Sequence, residues 1–166
     1  DFMAPLGLEL EEAFYRAFAE QVSAFEEGGA DAVIVESMSA LEEATVAVRA
    51  ARENTELTVF ATMTFDPQMH GGYATIMGVT PAQAATELVD AGDHIIGTNC
   101  GTGADQMINV VREMRTAAPE HPIIAMPNAG MPELENGETV FKETPEQMAG
   151  KAIELVRAGA TVIGGC

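Results

Sequence analysis

The sequence predicts an α/β fold in which helices cover a parallel sheet. Three segments repeat one pattern, a glycine-containing turn followed by a short, uninterrupted apolar run: residues 28–35, 91–97 and 158–164. Each run follows a stretch with apolar residues at helical spacing, and glycine suits the left-handed residue at which a helix ends. Uninterrupted apolar runs are typical of parallel strands, which are buried on both faces. The chain is therefore predicted to alternate between helix and strand.

The remaining elements fill the intervals between these repeats. Residues 57–65 are rich in β-branched and aromatic side chains and predict a second strand. Residues 122–126 predict a fourth strand that begins at a proline, a position where a strand tolerates the missing N–H. Thr80 and Thr144 each place a capping hydroxyl before a proline, which marks two helix starts. Helices are predicted over residues 9–27, 40–53, 80–90, 104–117 and 144–157.

The spacing of the repeats bears on the choice between two architectures. A doubly wound sheet and a (β/α)8 barrel both accommodate five alternating strands and helices. The repeated glycines stand at positions 29, 92 and 159. One strand-helix unit thus takes roughly 32 residues, and eight units would take roughly 250, the usual size of a barrel. This favours the C-terminal five strands of a (β/α)8 barrel, although a small doubly wound domain stays open. We expect residues 1–166 to be a partial domain, with its N-terminal strands absent and its last strand cut at the end.

Composition and charge exclude several classes of function. The chain has 166 residues, of which 26 are acidic and 8 basic, and its formal net charge is −18. So few cations offer no basic face to a phosphate backbone, and nucleic acid is excluded as a partner. No stretch approaches the roughly 20 apolar residues that a membrane-spanning helix needs. Because no signal peptide is visible and two cysteines make no disulfide framework, we expect a cytoplasmic protein, whose acidic excess is compatible with a salt-adapted cytoplasm.

The carboxyl ends of the strands hold the candidate functional residues, because ligands bind at that edge in both architectures. The first strand ends at Glu36, the third at Asn99 and Cys100, the fourth at Asn128 and the fifth at Cys166. Both cysteines of the chain thus fall at one edge, with one strand between them. From spacing alone they are small buried hydrophobes, metal ligands or nucleophiles, or, less readily, a disulfide. Two cysteines do not complete a zinc site, which normally has three or four protein ligands.

Four motifs at these strand ends are specific enough to indicate a family. They are Val35-Glu36-Ser37-Met38, Thr98-Asn99-Cys100-Gly101, Pro127-Asn128-Ala129-Gly130-Met131-Pro132 and Gly164-Gly165-Cys166. Together they resemble the homocysteine S-methyltransferase family, which includes the homocysteine-binding module of cobalamin-dependent methionine synthase and betaine–homocysteine methyltransferase. The resemblance spans essentially all 166 residues. It implies a (β/α)8 barrel, covered here from the third βα loop to the eighth strand.

The resemblance also implies a zinc-dependent methyl transfer to the thiol of homocysteine, or of a similar small thiol, giving methionine. In the family a cysteine after strand six and two adjacent cysteines after strand eight hold the zinc. Cys100 matches the first and Cys166 the second, and the third cysteine is expected just past Cys166. Asn128 matches a position whose amide oxygen completes the zinc shell when substrate is absent. Glu36 matches the residue that holds the homocysteine amino group, as a carboxylate suits an ammonium, and Asn99 is expected beside the substrate.

The implied chemistry needs zinc rather than a general base. A thiol of pKa about 8.5 is mostly protonated at neutral pH, and zinc deprotonates it for attack on a methyl group. Cobalamin on another domain or protein is a possible methyl carrier, so the expected partners are homocysteine and a methyl donor or corrinoid protein. Two alternatives stay open. One is a non-catalytic thiol-binding module that partners a corrinoid protein, and the other is a barrel enzyme that binds phosphate at Gly164-Gly165.

The three histidines lie outside this predicted site. His70 falls in the loop after the second strand, where a solvent-exposed side chain is expected. His94 starts one strand and His121 precedes another, both at the edge opposite the cysteines. We therefore expect both to be structural.

Overall fold

The computed structural model describes residue 3 and residues 7–166 of the chain. Helices and strands alternate along this part of the chain. All five predicted helices are present and begin and end within two residues of the predicted bounds. The elements in chain order are α1 (Glu11–Glu27), β1 (Ala32–Met38), α2 (Leu41–Asn54), β2 (Thr58–Met63), β3 (Asp66–Pro67), β4 (Tyr73–Ala74), α3 (Pro81–Ala91), β5 (Ile95–Gly103), α4 (Ala104–Ala117), β6 (Ile123–Asn128), β7 (Glu133–Glu135), β8 (Glu138–Val140), α5 (Pro145–Ala158) and β9 (Val162–Ile163).

Five of the strands form one parallel sheet in the order β1-β2-β5-β6-β9. Each of them therefore pairs with the next core strand along the chain. Consecutive helices also contact each other, from α1 on α2 to α4 on α5, so they form one outer layer. A doubly wound sheet would reverse its strand order and carry helices on both faces. The fold is thus α/β with five consecutive strands of the (β/α)8 type, as the sequence predicts, whereas the partial-domain assignment of residues 1–166 stays a prediction.

The core lies between the sheet and this helical layer. Met107 and Met114 of α4 are completely buried, as is Ile96 of β5. Burial of each such side chain contributes about 1.5–3 kcal/mol. In the sheet itself, a Cβ on Gly97 would lie 2.1 Å from the carbonyl oxygen of Ile124. Strands β5 and β6 therefore approach each other as only glycine permits, and the sheet that carries the strand ends is tightly built.

The predicted helix starts before prolines are confirmed in detail. The Thr80 hydroxyl accepts a hydrogen bond from the Gln83 N–H, and the Gln83 side chain accepts one from the Thr80 N–H. Thr144 and Gln147 form the same reciprocal pair at the start of α5. Such a cap contributes about 1 kcal/mol. At the other end of α3, Gly92 has the expected left-handed backbone, with φ 93°.

Two small hairpins follow strands β2 and β6, where the sequence predicted loops. Strands β3 and β4 form one antiparallel pair, and β7 and β8 form the other. The second hairpin turns at Asn136 and Gly137, with φ 51° and 86°. An Asn-Gly pair with two positive φ angles is the strongest short-range hairpin signal in a sequence. This hairpin was therefore readable from the sequence, and both hairpins stand at the carboxyl edge of the sheet.

Candidate functional site

The two cysteines meet at the carboxyl edge of the sheet. Cys100 lies in the last part of β5, and Cys166 follows β9. Their thiols are within hydrogen-bonding reach of each other, and the Cys166 thiol also lies close to Asn99 and Glu36. Both cysteines are free thiols, Cys100 half-buried and Cys166 exposed. Three of the five residues predicted for the site are thus brought together, and Glu36 acts on the Cys166 thiol through its charge.

The fifth predicted residue, Asn128, ends the strand that lies between the two cysteines. It is the last residue of β6 and is buried. The backbone N–H of Cys166 donates to the carbonyl of Pro127 at 3.0 Å, so Cys166 is fixed next to the end of β6. Glu36, in contrast, is exposed on β1 and is free to meet a ligand from solvent. The edge therefore presents two thiols, the buried carboxamides of Asn99 and Asn128, and one exposed carboxylate.

The surroundings of Cys166 raise the pKa of its thiol above the ordinary value. Burial of part of the side chain is the main cause, followed by the hydrogen bond with Cys100. The negative charge of Glu36 raises this pKa further, while the hydrogen bond with Asn99 lowers it. The thiol is consequently protonated at neutral pH as the chain stands. A positive partner, such as a divalent metal ion, is what would convert the pair to thiolates.

The backbone at this edge is strained at two residues. Cys100 has φ 56° and Ser37 has φ 60°, both in the left-handed region. This conformation costs a residue with a side chain roughly 1–2 kcal/mol. The register of β1 against β2 is interrupted around Ser37, and that of β5 against β6 is interrupted around Cys100. Irregularities of this kind re-aim side chains beside active sites, and here they occur where Glu36 and the first sulfur stand.

Asn99 joins three strands at the same edge. Its Oδ1 accepts hydrogen bonds from the Ser37 N–H at 2.9 Å and from the Thr62 hydroxyl at 2.8 Å. Its Nδ2 donates to Ser37 Oγ at 2.7 Å, and its backbone carbonyl accepts from the Thr64 hydroxyl at 3.1 Å. The residue is 1% exposed. The structure thus uses the Asn99 carboxamide within the protein, and the predicted contact with a substrate stays a prediction.

The donors at this edge match part of a zinc site. Zinc takes cysteine sulfur, histidine nitrogen and carboxylate oxygen in tetrahedral sites. Within residue 3 and residues 7–166, no group of three or more His, Cys, Asp or Glu side chains is arranged to hold a metal ion. The chain therefore offers two sulfurs, from Cys100 and Cys166, and Asn128 at the neighbouring strand end carries an amide oxygen. These residues fit a zinc ion as two of its ligands and a candidate third.

The alternative of a phosphate site at Gly164-Gly165 finds no available lysine. Both lysines of the chain are held by carboxylates, Lys142 by Glu133 and Glu135 and Lys151 by Asp105 and Glu143. Gly164 itself is packed against Met126, since a Cβ there would lie 2.7 Å from the Met126 Cγ. The observed contacts give this alternative no support.

Fold and site together define a class: a barrel-type α/β protein with a pair of thiols at the carboxyl edge of its sheet. The family model of the homocysteine S-methyltransferases matches residues 6–166. The chain belongs to the homocysteine S-methyltransferase family, as its strand-end motifs indicate.

Relatives within and around this family are considerably longer. Methionine synthase of Mycobacterium tuberculosis is 29% identical over 156 residues, which are 90% of this chain and 13% of that protein. Betaine–homocysteine S-methyltransferase 1 of Sus scrofa is 33% identical over 100 residues, 60% of this chain and 34% of that protein. The metallated form of the homocysteine methyltransferase MmuM from Escherichia coli superimposes with a TM-score of 0.73 at 17% identity. That superposition covers 96% of this chain and 48% of MmuM, and it shows a common fold.

The helices bear on the expectation that no segment spans a membrane. None of the helices in the described part of the chain is long and apolar enough to cross a membrane. The cytoplasmic location and the exclusion of nucleic acid stay predictions.

Proposed function

We propose that this chain catalyses methyl transfer to the thiol of homocysteine, or of a similar small thiol, and that the homocysteine product is methionine. The observation that carries the proposal is the meeting of Cys100 and Cys166 at the carboxyl edge of the sheet. Membership of the homocysteine S-methyltransferase family supports the same reaction. Two further relatives, a methionine synthase and a betaine–homocysteine S-methyltransferase, carry names that fit it.

We further propose that the site binds zinc. Cys100 and Cys166 would hold the ion through their sulfurs, and Asn128 would offer its amide oxygen when no substrate is present. When bound, zinc acts as a Lewis acid that keeps a substrate thiol deprotonated at neutral pH. The chain's own contribution is to place both sulfurs at one point of the edge, and the backbone bond from Cys166 to Pro127 fixes the second of them. The structural relative MmuM has a metallated form, which is in keeping with a metal-binding role.

Glu36 is the proposed partner of the substrate's ammonium group. It is exposed, and its charge is close enough to the Cys166 sulfur to raise the pKa of that thiol. Homocysteine carries a thiol and an ammonium a few bonds apart, so one molecule can reach both the sulfur pair and the carboxylate. A charge-assisted hydrogen bond of this type contributes about 1.5–3 kcal/mol. Thiols that lack an amino group should therefore bind less tightly.

The methyl carrier is a separate proposal. We propose that cobalamin on another domain or protein delivers the methyl group to this edge. The two hairpins beside the site expose apolar side chains, with Met69 97% and Leu134 77% exposed, and such side chains suit contact with a protein donor. The runner-up is a thiol-binding module that partners a corrinoid protein without catalysing the transfer itself. Methyl transfer from free methylcobalamin by the purified protein would exclude that module.

The test begins with metal content and methyl transfer in the same preparation. The protein is stripped of metal, reloaded with zinc and assayed for homocysteine-dependent transfer from methylcobalamin, betaine and S-methylmethionine. We expect bound zinc in the reloaded protein, its loss in Cys100→Ser and Cys166→Ser, and an unchanged circular dichroism spectrum in both variants. Zinc retained at wild-type level in both variants would overturn the zinc proposal, and transfer that needs no zinc would overturn the mechanism.

A second measurement tests the substrate contact. Glu36→Gln should raise the KM for homocysteine by roughly 10-fold or more, because a charged hydrogen bond is lost. It should leave the KM for a thiol without an amino group unchanged. Glu56→Gln is the matched control, since Glu56 is also exposed but precedes β2 at the opposite edge. An equal effect of both variants, or an equal effect on both thiols, would remove Glu36 from the site.

A further inference from the structure

We propose that Asn99 is a positioning residue that sets the placement of the two sulfurs relative to each other. This role differs from the substrate contact that the sequence predicts for it. The inference concerns the geometry of the two thiols, and it rests on the proposed function only where it extends to metal binding.

The Asn99 carboxamide is fully used inside the protein. An amide side chain has two acceptor positions on oxygen and two N–H donors on nitrogen. Ser37 N–H and the Thr62 hydroxyl fill the two acceptor positions, and Ser37 Oγ takes one donor. The remaining donor is the one within reach of the Cys166 thiol. A buried amide with every position filled has one orientation, because any rotation would leave buried polar groups without partners.

The same bonds hold the strained backbone on both sides of the site. The strained residues are Ser37 and Cys100, both with left-handed backbone. Asn99 accepts a hydrogen bond from the N–H of Ser37, and it directly precedes Cys100 in the chain. The Thr64 hydroxyl binds the carbonyl of the peptide that joins Asn99 to Cys100, which fixes that peptide plane. Gly101 closes the turn against β2, where a Cβ would lie 2.9 Å from the Phe65 carbonyl oxygen. The backbone of Cys100 is therefore held in place on both sides, by the contacts of Asn99 before it and of Gly101 after it.

The two sulfurs stand at the ends of strands that are not direct neighbours in the sheet. Cys100 is on β5 and Cys166 follows β9, and β6 lies between these strands. Besides the sulfur pair itself, an interaction of the Asn99 side chain with the Cys166 thiol crosses this gap. Asn99 thus links the backbone that carries the first sulfur to the position of the second. Residues that orient metal ligands in this way typically change metal affinity by about 10–100-fold when they are replaced.

Asn99→Asp is the most informative variant. Aspartate keeps the size of asparagine and its acceptor oxygen for Ser37 and Thr62, but it removes the N–H donors that face Ser37 Oγ and Cys166. Asn99→Ala removes the same donors without adding a charge. Asn109→Asp is the matched control, because Asn109 is exposed on α4 and hydrogen bonds with Tyr73 and Arg112, away from the sulfurs. Thermal unfolding of each variant establishes that it is folded.

Two readouts report on sulfur placement without any assay of activity. Phenylarsine oxide bridges a suitably spaced thiol pair: two As–S bonds replace the As–O bonds, both thiol protons leave with the oxygen as water, and arsenic stays trivalent. The displacement of this bridge by a monothiol is measured on the metal-free protein, and zinc affinity is measured by competition with a coloured chelator. We expect Asn99→Asp and Asn99→Ala each to release the arsenical at least about 10-fold faster and to bind zinc about 10–100-fold more weakly. Asn109→Asp should match the wild type in both.

The outcomes separate this inference from the proposed function. If folded Asn99→Asp and Asn99→Ala keep the wild-type arsenical release and zinc affinity, the positioning role is overturned. An effect in Asn99→Asp alone would assign the change to the added charge and would also overturn it. If both variants release the arsenical faster while the wild type transfers no methyl group, the methyltransferase proposal fails and the positioning role of Asn99 stands.

Discussion

The two edges of the sheet handle buried polar groups in opposite ways. At the carboxyl edge, the neutral amide of Asn99 and the hydroxyl of Thr62 satisfy one another beside a strained Cys100. At the amino edge a titratable pair is largely buried instead: Asp93 precedes β5, His121 precedes β6, and Asp93 Oδ1 lies 3.1 Å from His121 Nε2. Neither of these atoms has a well-directed hydrogen bond within the described residues. Strain is thus located at one edge and pH-sensitive charge at the other.

The amino edge owes its pH sensitivity to burial. Burial raises the pKa of Asp93 to about 7. It also lowers the pKa of His121, and the nearby Arg115 and His94 lower it further. His94 accepts a hydrogen bond from the Val59 N–H through Nδ1 at 2.9 Å, so this ring nitrogen carries no proton. The pH-sensitive contribution to stability and the paired thiols thus lie at opposite edges of the sheet.

The largest expected effect is a pH-dependent gain in stability for Asp93→Asn. A carboxyl whose pKa is raised by folding contributes stability below its unfolded pKa and loses that contribution as the pH rises through about 7. The upward shift of the Asp93 pKa corresponds to at most about 4 kcal/mol in the free energy of unfolding. Asparagine resembles the protonated acid, so the variant should gain stability over the wild type between pH 5 and pH 8.5.

Urea unfolding at both pH values measures this difference. The lowered pKa of His121 acts with the opposite sign, because its contribution to stability grows as the pH rises toward about 6.5. Asp90→Asn, an exposed change on α3, is the control. A difference between Asp93→Asn and the wild type that does not change with pH would show that this edge carries no such titration.

The second prediction concerns Arg115, which ties the end of α4 to the end of α5. Its Nη1 donates to the carbonyls of Ala118 at 3.0 Å and Pro119 at 2.7 Å, and its Nη2 donates to that of Gly159 at 2.7 Å. Arg115→Met should lower the free energy of unfolding by about 2–3 kcal/mol, since hydrogen bonds from a charged donor are lost. Zinc binding and arsenical release should stay at wild-type values. The control is Arg112→Met, one turn earlier on α4, which should lower the free energy of unfolding by less than about 0.5 kcal/mol. A loss of zinc binding in Arg115→Met would show that the two edges are not independent.

A smaller effect of opposite sign is expected for Cys100→Gly. Glycine relieves a left-handed strain of about 1–2 kcal/mol, and its extra freedom in the unfolded chain costs roughly 0.5–1 kcal/mol. The variant should therefore unfold at the same or a slightly higher urea concentration while it loses zinc and the arsenical. Asn136→Gly, at φ 51° in the exposed hairpin, should have a similar small effect on stability and keep both ligands. A clear drop in stability for Cys100→Gly would mean that the carboxyl edge is not strained.

The smallest expected effect is at a helix start. Thr144→Ala removes the hydroxyl that caps α5 and should lower the free energy of unfolding by about 1 kcal/mol. Thr139→Ala, in the exposed strand β8, serves as the control. Neither change should alter the rate of arsenical release. A changed rate in Thr144→Ala would show that the start of α5 influences the sulfur pair.

The sequence predicts the regular elements because each depends on local chemistry. The Thr80 cap, the left-handed Gly92 and the buried run of β5 are all read from a few adjacent residues. The order of the sheet follows from these elements, since strand-helix units of equal length pack in sequence. The meeting of Cys100 and Cys166 follows in turn from the position of each at a strand end.

The interior of the site could not be predicted in the same way. The left-handed backbone at Ser37 and Cys100 is imposed by contacts between strands that are far apart in sequence, such as the bond from Ser37 to Asn99. The Thr98–Gly101 motif does not indicate that its asparagine faces inward. An amide at a strand end can hydrogen bond to a ligand as readily as to a neighbouring strand. The burial of Asp93 is hidden for a similar reason, because Ala-Gly-Asp reads as a solvent-exposed turn. Its signal was the repeated position itself, which follows the turn glycine two residues before a core strand.

The serial order of the sheet has a consequence for when the sulfur pair becomes available. Every core strand joins the neighbour that precedes it, so the sheet can grow from β1 toward β9 without waiting for distant sequence. Cys100 takes its place once β5 has docked, but its counterpart arrives only when β9 closes onto β6. The two thiols are therefore available as a pair only after β9 has paired with β6.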